Sequence, residues 1–205
     1  MRVLILDGHP DAGRFVSHIL DTYQAALGQE VEIERIAVRD LAFEPNLRRG
    51  YKEVQGWEPD LERIGAAIAA CDHLVVGFPM WWGSEPAQLK GLIDRVLLPG
   101  FAFRYHNDDP FWNRLLAGRS ADVLITTDTP AFFLWLAYGN PVVRRWRGQI
   151  LGFCGFKPAR ITTFGPVRQG GVQKNIAAWR RKVKRLATTT SGLKRATKLT
   201  AVLPS

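Results

Sequence analysis

The sequence has little cysteine and no long apolar run. Its two cysteines, Cys71 and Cys154, lie in apolar segments with no second Cys or His at ligand spacing. Neither a disulfide framework nor a zinc site is therefore expected. The apolar stretch at residues 131–138 is far too short to span a bilayer. The opening residues 1–11 lack the long apolar region of a signal peptide. These absences predict a cytoplasmic protein with two buried, inert thiols.

Acidic residues are absent after Asp128. The chain has 19 Asp or Glu and 28 Lys or Arg, and 15 of the basic residues lie between Thr129 and Ser205. Such asymmetry indicates an interacting face. Three interpretations stay open: peripheral contact with an anionic membrane, pairing with the acidic part across a dimer, or a contribution to solubility alone. No nucleic-acid partner is expected, because these residues form no known reading module.

The pattern of apolar runs predicts one α/β domain. The chain has 205 residues, 46% of them hydrophobic, which suits a single domain. Short apolar runs alternate with segments of helical period, the pattern of a parallel sheet whose faces are both covered by helices. We predict a doubly wound, five-stranded parallel sheet in residues 1–187 and a basic, flexible tail in residues 188–205. The predicted strands are Val3–Asp7, Val31–Ala37, His73–Phe78, Ala121–Thr126 and Arg160–Thr163.

Three helices and two loops complete the predicted domain. Apolar stripes predict helices over Arg14–Leu27, after Pro86, and around Trp179, the last with its basic residues outward. Residues 41–58 and 99–118 are predicted loops.

Ligands of a parallel sheet bind beyond the carboxyl ends of its strands. The first loop there, residues 8–17, has glycines and a following helix N-terminus that suit an anion, with His9, Arg14 and Ser17 as donors. It lacks the GKS or GKT of a nucleotide-triphosphate loop and the GxGxxG of a dinucleotide loop. A plain turn with a surface arginine is therefore an equally good interpretation of this loop.

The second and third loops add an aromatic pair and a hydroxyl-rich turn. Adjacent Trp81 and Trp82 separate a strand from a helix, and flat aromatic walls suit a flat heteroaromatic ligand. The alternative is that one packs under the sheet and the other in a subunit contact. Residues 126–130 close the fourth strand, where hydroxyls and backbone donors suit the edge of a flavin. A simple turn before Pro130 is the alternative.

Residues 77–97, GFPMWWGSEPAQLKGLIDRVL, resemble the central signature of the NAD(P)H dehydrogenase (quinone) family, which includes quinone reductases and modulator of drug activity B-like proteins. Shorter matches continue the resemblance in the same order over residues 1–187. They are His9-Pro10 with Phe15, Pro99–Phe103, Ile125–Thr127 and Gly152–Phe156.

The resemblance implies a flavodoxin-like fold, a homodimer and a tightly bound flavin. By position, the flavin phosphate belongs to His9, Arg14, Phe15 and Ser17. The isoalloxazine ring belongs to Pro79, Met80, Trp81, Trp82 and Gly83, with Thr127, Asp128 and Thr129 opposite. We expect FMN, because Arg14 beside a helix terminus suits a phosphate monoester, and FAD is the alternative. NAD(P)H is the implied electron donor.

The implied activity is two-electron reduction of a small aromatic acceptor, a quinone or an azo or nitro compound, in ping-pong order. The alternative is a regulatory flavoprotein subunit of a membrane transporter, such as a potassium efflux system. Two departures leave the catalytic side chains unknown. Leu134 and Asn140 occupy the positions of the Tyr and His that assist hydride transfer in animal relatives, and Asp128-Thr129 replaces a pair of glycines. Phe132, Phe133, Trp135 and Tyr138 wall the acceptor pocket or form dimer core.

Overall fold

The centre of the sheet is built from strands whose residues are buried on both faces, whereas its two edge strands are only partly buried. The computed structural model describes residues 1–168, 170–193 and 197–198. Its strands are β1 (Arg2–Asp7), β2 (Glu32–Ala37), β3 (His73–Pro79), β4 (Phe103–Tyr105), β5 (Trp112–Arg114), β6 (Ser120–Thr126) and β7 (Ala159–Phe164). Five of them form one parallel sheet in the order β2-β1-β3-β6-β7, and β4 and β5 pair separately as an antiparallel hairpin. The predicted doubly wound sheet is confirmed.

Helices cover both faces of this sheet. They are α1 (Phe15–Ala25), α2 (Pro59–Ala70), α3 (Ala87–Val96), α4 (Ala131–Tyr138), α5 (Pro141–Arg144, continued by a π-helical segment Arg145–Gly152) and α6 (Gly171–Ser191). Successive β1 side chains point to opposite faces. Val3 and Ile5 join the core under α1 and α6, whereas Leu4 and Leu6 join the core under α2, α3 and the π-helical segment. Two apolar cores explain why the central strands β1 and β3 contain runs without polar alternation.

The sequence pattern predicts neither the helices α2, α4 and α5 nor the hairpin of β4 and β5. Helix α2 begins at Pro59, directly after the loop predicted at residues 41–58. The predicted loop at residues 99–118 contains the β4–β5 hairpin, so that prediction was wrong in part. The strands of this hairpin have three residues each, too few to show a period of two.

The last helix runs past the predicted domain boundary at residue 187, and that boundary stays a prediction. Helix α6 continues to Ser191, so residues 188–191 are helical, and Thr190 is buried. Of the rest of the predicted tail, residues 194–196 and 199–205 lie outside the described residues. The basic residues of α6 face outward as predicted, with Arg181, Lys182, Lys184 and Arg185 exposed.

A buried polar cluster lies between the sheet and the helices α1 and α6. Asp122 of β6 accepts two hydrogen bonds from Arg160, at 2.6 and 2.7 Å, and one from the Tyr23 hydroxyl at 2.6 Å. The Thr190 hydroxyl accepts a bond from Arg160 at 2.6 Å and lies 2.6 Å from the Tyr23 hydroxyl. His73 is 3.4 Å from Asp122. Burial alone would raise the pKa of Asp122, but hydrogen bonds from His73, Arg160 and Tyr23 lower it to about 2.

Both cysteines are buried, as predicted. Neither forms a disulfide, and burial raises the pKa of each thiol to about 12. A thiol that stays protonated at neutral pH is a poor nucleophile, so Cys71 and Cys154 are inert core residues.

Candidate functional site

Three loops meet at the carboxyl edge of the sheet. They follow β1, β3 and β6, and we call them the first loop (residues 8–14), the second loop (residues 80–86) and the third loop (residues 127–130). The Gly8 amide donates to the Gly77 carbonyl at 2.7 Å, and the Met80 amide donates to the Thr126 carbonyl at 2.7 Å. These bonds join β1 to β3 and β3 to β6 where the loops begin. The parallel sheet therefore assembles segments that are far apart in the sequence.

The first loop leads into the N-terminus of α1. Arg14 is the N-cap residue, and the amides of Ser17 and His18 both donate to its carbonyl. The amides that precede Ser17 in the first turn of α1 have no intrahelical acceptor. The helix dipole also makes this end of the helix positive. Gly13 has a φ of +65° and open space around its Cβ position. The first loop thus presents backbone donors to an anion, as the sequence predicts.

The side chains of this loop differ in how well they fit the predicted phosphate site. The Arg14 guanidinium is paired with Asp11, whose Oδ2 lies 2.6 Å from Nε. Arg14 therefore reaches an anion only in competition with a carboxylate. The Phe15 ring packs on Trp179, with centroids 5.5 Å apart, so the backbone of Phe15, not its ring, faces the loop.

Ser17, a predicted phosphate donor, already has a partner within the protein, and its role at a phosphate stays a prediction. Its side chain is buried, and its hydroxyl donates to Asp7 Oδ2 at 2.7 Å, so the hydroxyl proton is not free for a phosphate. Asp7 is fully buried at the end of β1 and also accepts from the His9 amide at 3.2 Å. Arg39 lies 3.2 Å from the same carboxylate and offsets its charge. Ser17 and Asp7 together hold the first loop in place.

His9 links the first loop to the second. Its Nδ1 accepts the Asp11 amide at 2.9 Å, and its ring meets the edge of Trp81 at 5.8 Å. Burial lowers the pKa of His9, outweighing the nearby carboxylates. At neutral pH the imidazole is therefore neutral, with its proton on Nε2, where it serves as a hydrogen-bond donor.

The second loop is a tight turn that exposes both tryptophans. The Trp81 and Ser84 backbones exchange two hydrogen bonds of 2.9 Å each. Between them, Trp82 has a φ of 50° and Gly83 a φ of 77°, the pattern of a type I′ turn. Trp82 is fully exposed and Trp81 is about half exposed. The alternative in which one tryptophan packs under the sheet is therefore wrong.

A left-handed φ at a residue as bulky as Trp82 is uncommon and costs about 1–3 kcal/mol. Gly83 beside it has no described atom within 4 Å of its Cβ position, so its backbone is open to a ligand. Pro79 is buried and Met80 is half-buried, and both lie at the base of the turn. Strain of this kind is characteristic of binding sites.

An ion pair beneath the second loop was missed by sequence reasoning. Glu85 is buried and accepts a bond from Arg145 and another from Trp146 Nε1 at 3.0 Å. Arg145 also donates to the Ser84 hydroxyl at 3.0 Å. Trp146 packs on Phe78 with centroids 5.0 Å apart. These contacts join the second loop to the π-helical segment. The only sequence feature that could have indicated this ion pair was a charged residue directly before Pro86.

The third loop follows β6, whose last residue, Thr126, accepts the Met80 amide at the start of the second loop. The Thr127 amide donates to the Phe164 carbonyl at 2.9 Å, and the Thr127 hydroxyl accepts the Thr129 amide at 3.1 Å. Asp128 is exposed and lies 2.7 Å from Arg168. The predicted hydroxyl-rich turn is present, but Asp128 is engaged by an arginine and the Thr129 amide by Thr127.

Helix α4 continues from the third loop with exposed aromatic side chains. Phe132, Trp135 and Tyr138 are each more than 60% exposed, and Phe133 is 44% exposed. Leu134 is buried, and Asn140 follows the helix with a φ of 56°. The assignment of these aromatics to an acceptor pocket or a dimer core stays a prediction.

The chain belongs to the flavodoxin-like fold family, whose sequence profile matches residues 1–186. The uncharacterized NAD(P)H oxidoreductase YcaK of Escherichia coli (strain K12) is 29% identical to it over 57% of this chain and 65% of its own. The FMN-dependent NADH:quinone oxidoreductase of Azotobacter vinelandii is 28% identical over 75% of this chain and 82% of its own. The resemblance to quinone reductases is confirmed at the level of the family.

Among solved structures, Smu.1420 from Streptococcus mutans UA159 is 26% identical, with a TM-score of 0.72, and covers 94% of this chain and 100% of its own. The chain spans about two thirds of the E. coli relative's length and about half the length of the curated mammalian quinone dehydrogenases that it matches. No helix within residues 1–168, 170–193 and 197–198 is long and apolar enough to cross a bilayer.

Proposed function

We propose that this protein is a flavin-dependent NAD(P)H oxidoreductase that reduces quinone-like acceptors by two electrons in ping-pong order. The observation that carries this proposal is the convergence of three loops around an exposed, strained aromatic turn. The names of its relatives support the reaction class, since they include NAD(P)H oxidoreductases and an FMN-dependent NADH:quinone oxidoreductase.

The residues present fit a flavin. The first loop offers backbone donors at a helix N-terminus, which suit a terminal phosphate. The exposed indole of Trp82 and the open backbone at Gly83 suit one face and edge of a flat ring system. We favour FMN over FAD because a monoester dianion matches this single positive helix end and because a relative is FMN-dependent. His9 and the first-turn amides would hold the phosphate, and the second and third loops would hold the ring.

A bound flavin supplies the chemistry of accepting a hydride from NAD(P)H and passing it on. A quinone then gains that hydride and one proton from solvent, giving a hydroquinone, while NAD(P)H becomes NAD(P)⁺. With a flavin bound, the second and third loops would position the electron donor and then the acceptor beside it. Leu134 and Asn140 cannot act as acid or base, so no side chain of this chain is assigned to proton transfer.

The proposal is tested by releasing the flavin from purified protein and identifying it by mass spectrometry, then assaying menadione reduction. We expect FMN, bleached anaerobically by NAD(P)H and re-oxidised by menadione. Double-reciprocal plots of initial rate against menadione concentration, recorded at several NAD(P)H concentrations, should give parallel lines. Parallel lines are the signature of ping-pong order. A colourless protein that binds neither FMN nor FAD on reconstitution would refute the proposal.

Because Arg14 pairs with Asp11, substitutions of these two residues are expected to change FMN affinity in opposite directions. Asp11→Asn removes a carboxylate and releases the guanidinium, so FMN should bind about threefold tighter. Arg14→Glu places two carboxylates beside the phosphate, so FMN should bind at least tenfold more weakly. Flavin fluorescence quenching by apoprotein measures both.

The control for this pair is Arg2→Glu, because Arg2 pairs with Glu32 at the opposite edge of the sheet, 2.9 Å away. It should leave FMN affinity unchanged. Weaker FMN binding in Asp11→Asn, or unchanged binding in Arg14→Glu, would place the phosphate elsewhere.

A further inference from the structure

A cavity of about 570 Å³ opens beside the second loop, where Gly83 forms part of its wall. The opposite wall is built by the end of α4 and by α5 with its π-helical continuation. The other lining residues that matter here are Tyr138, Arg144, Arg145 and Gln149. The cavity is therefore continuous with the backbone edge proposed to hold the flavin ring, and it is large enough for a bicyclic aromatic molecule.

The two arginines of this cavity are electrostatically different. Arg145 is paired with the buried carboxylate of Glu85 and also bonds Ser84, so its charge is neutralised beneath the loop. Arg144 is exposed and has no ion pair with any residue in the described part of the chain. Its Nη1 lies 3.9 Å from the Cβ position of Gly139, which places the guanidinium over the end of α4.

The positive charge of Arg144 is not compensated from nearby sequence. Acidic residues are absent from 129–205, so neither α4 nor α5 carries one. Lining groups near Arg144 are hydrogen-bond donors: the Tyr138 hydroxyl and the Gln149 amide. An unpaired cation in a concave wall attracts anions more strongly than one on a flat surface, because the low-dielectric walls focus its field.

We propose that this cavity binds the anionic substituent of an aromatic acceptor, with Arg144 as the specificity-determining residue. The inference rests on the proposed function and narrows its substrate class to quinones that carry a sulfonate or carboxylate. The ring lies toward Gly83 and Trp82, and the anionic group lies against the guanidinium. The Tyr138 hydroxyl and Gln149 amide supply further donors to its oxygens.

The test compares two naphthoquinones that differ in one substituent. Menadione carries a methyl group where 1,4-naphthoquinone-2-sulfonate carries a sulfonate. In the FMN-loaded protein, Arg144→Gln should raise KM for the sulfonate about fivefold more than KM for menadione. Differences in the potentials of the two quinones cancel, because each KM ratio compares variant with wild type. The difference between the two KM changes should shrink in 0.5 M salt. Arg144→Lys should restore most of the affinity for the sulfonate.

The matched control is Arg147→Gln. Arg147 is exposed on the same helical segment but does not line the cavity, so both KM values should stay unchanged. Equal changes in both KM values on Arg144→Gln would overturn the inference. A change in KM for NADPH alone would also overturn it, since the cation would then serve the electron donor.

A binding measurement separates this inference from the proposed function. Naphthalene-2-sulfonate cannot be reduced, and its binding is followed by quenching of tryptophan fluorescence. Its Kd should rise about fivefold in Arg144→Gln and stay constant in Arg147→Gln, whether or not either quinone is turned over. An unchanged Kd in Arg144→Gln would refute the anion site. Absence of menadione turnover with this Kd shift intact would refute only the oxidoreductase activity.

Discussion

Asp122→Ala is expected to lower the free energy of unfolding by about 3–5 kcal/mol, as is typical when one partner of a buried ion pair is removed. Asp122 is fully buried and receives two bonds from Arg160. Its loss leaves the guanidinium without a counter-charge and the Tyr23 hydroxyl without its acceptor. Urea unfolding at pH 7, followed by circular dichroism, measures the change.

The control is Glu32→Ala, which breaks the exposed Arg2–Glu32 pair and should cost less than about 1 kcal/mol. Asp122→Asn keeps the shape of the side chain and serves as the milder variant if Asp122→Ala does not fold. A loss under about 1 kcal/mol in both Asp122 variants would mean that the cluster contributes little.

The same carboxylate makes stability depend on pH in the acid range. The pKa of Asp122 is about 2 in the folded protein, below its ordinary value of about 4 in an unfolded chain. The stabilisation is therefore complete above pH 4 and is lost as the pH falls toward 2. We expect the difference in unfolding free energy between wild type and Asp122→Asn to shrink between pH 4 and pH 2. A constant difference would contradict the low pKa.

Trp82→Gly is expected to separate flavin affinity from stability. Glycine adopts the positive φ of this position without strain, so the free energy of unfolding should stay the same or rise by about 1 kcal/mol. Loss of the exposed indole removes a stacking surface worth about 1–3 kcal/mol, so FMN should bind about 5- to 150-fold more weakly. Flavin fluorescence titration and urea unfolding measure the two quantities on the same preparation.

Trp82→Phe is the matched control, because it keeps an aromatic ring and the same backbone conformation. It should retain FMN affinity within a few fold. If Trp82→Gly binds FMN normally and unfolds more easily, the indole is a packing residue and the second loop is not the ring site.

The sequence predicts those parts of the fold that depend on local pattern. The central strands β1 and β3 contain continuous apolar runs, and the loops after β1, β3 and β6 stand out because their residues differ from those of the strands. Helix α2 was missed because Gly65 interrupts its pattern. A Cβ at Gly65 would lie 2.2 Å from the Trp57 ring, so this glycine serves a tertiary contact rather than helix propensity.

The charged contacts could not be predicted, because their partners are distant in sequence. Glu85 and Arg145 are 60 residues apart, and no local sequence pattern around either residue indicates that they pair. The position of Ser17 in the sequence is typical of an anion donor. In the structure its hydroxyl instead donates a hydrogen bond to the buried carboxylate of Asp7, ten residues earlier. A sequence shows which donors are available near a loop, whereas only the packed structure shows which of them are already used.

The buried cluster also constrains how the chain folds during its synthesis on the ribosome. Asp122 meets His73 and Tyr23 early, but Arg160 and Thr190 are made last, and Tyr23 and Thr190 are 167 residues apart. Until α6 has left the exit tunnel, the nascent sheet holds a carboxylate beneath an uncovered face, with its counter-charge incomplete. Stable closure of this face must therefore wait until residue 190 has left the tunnel.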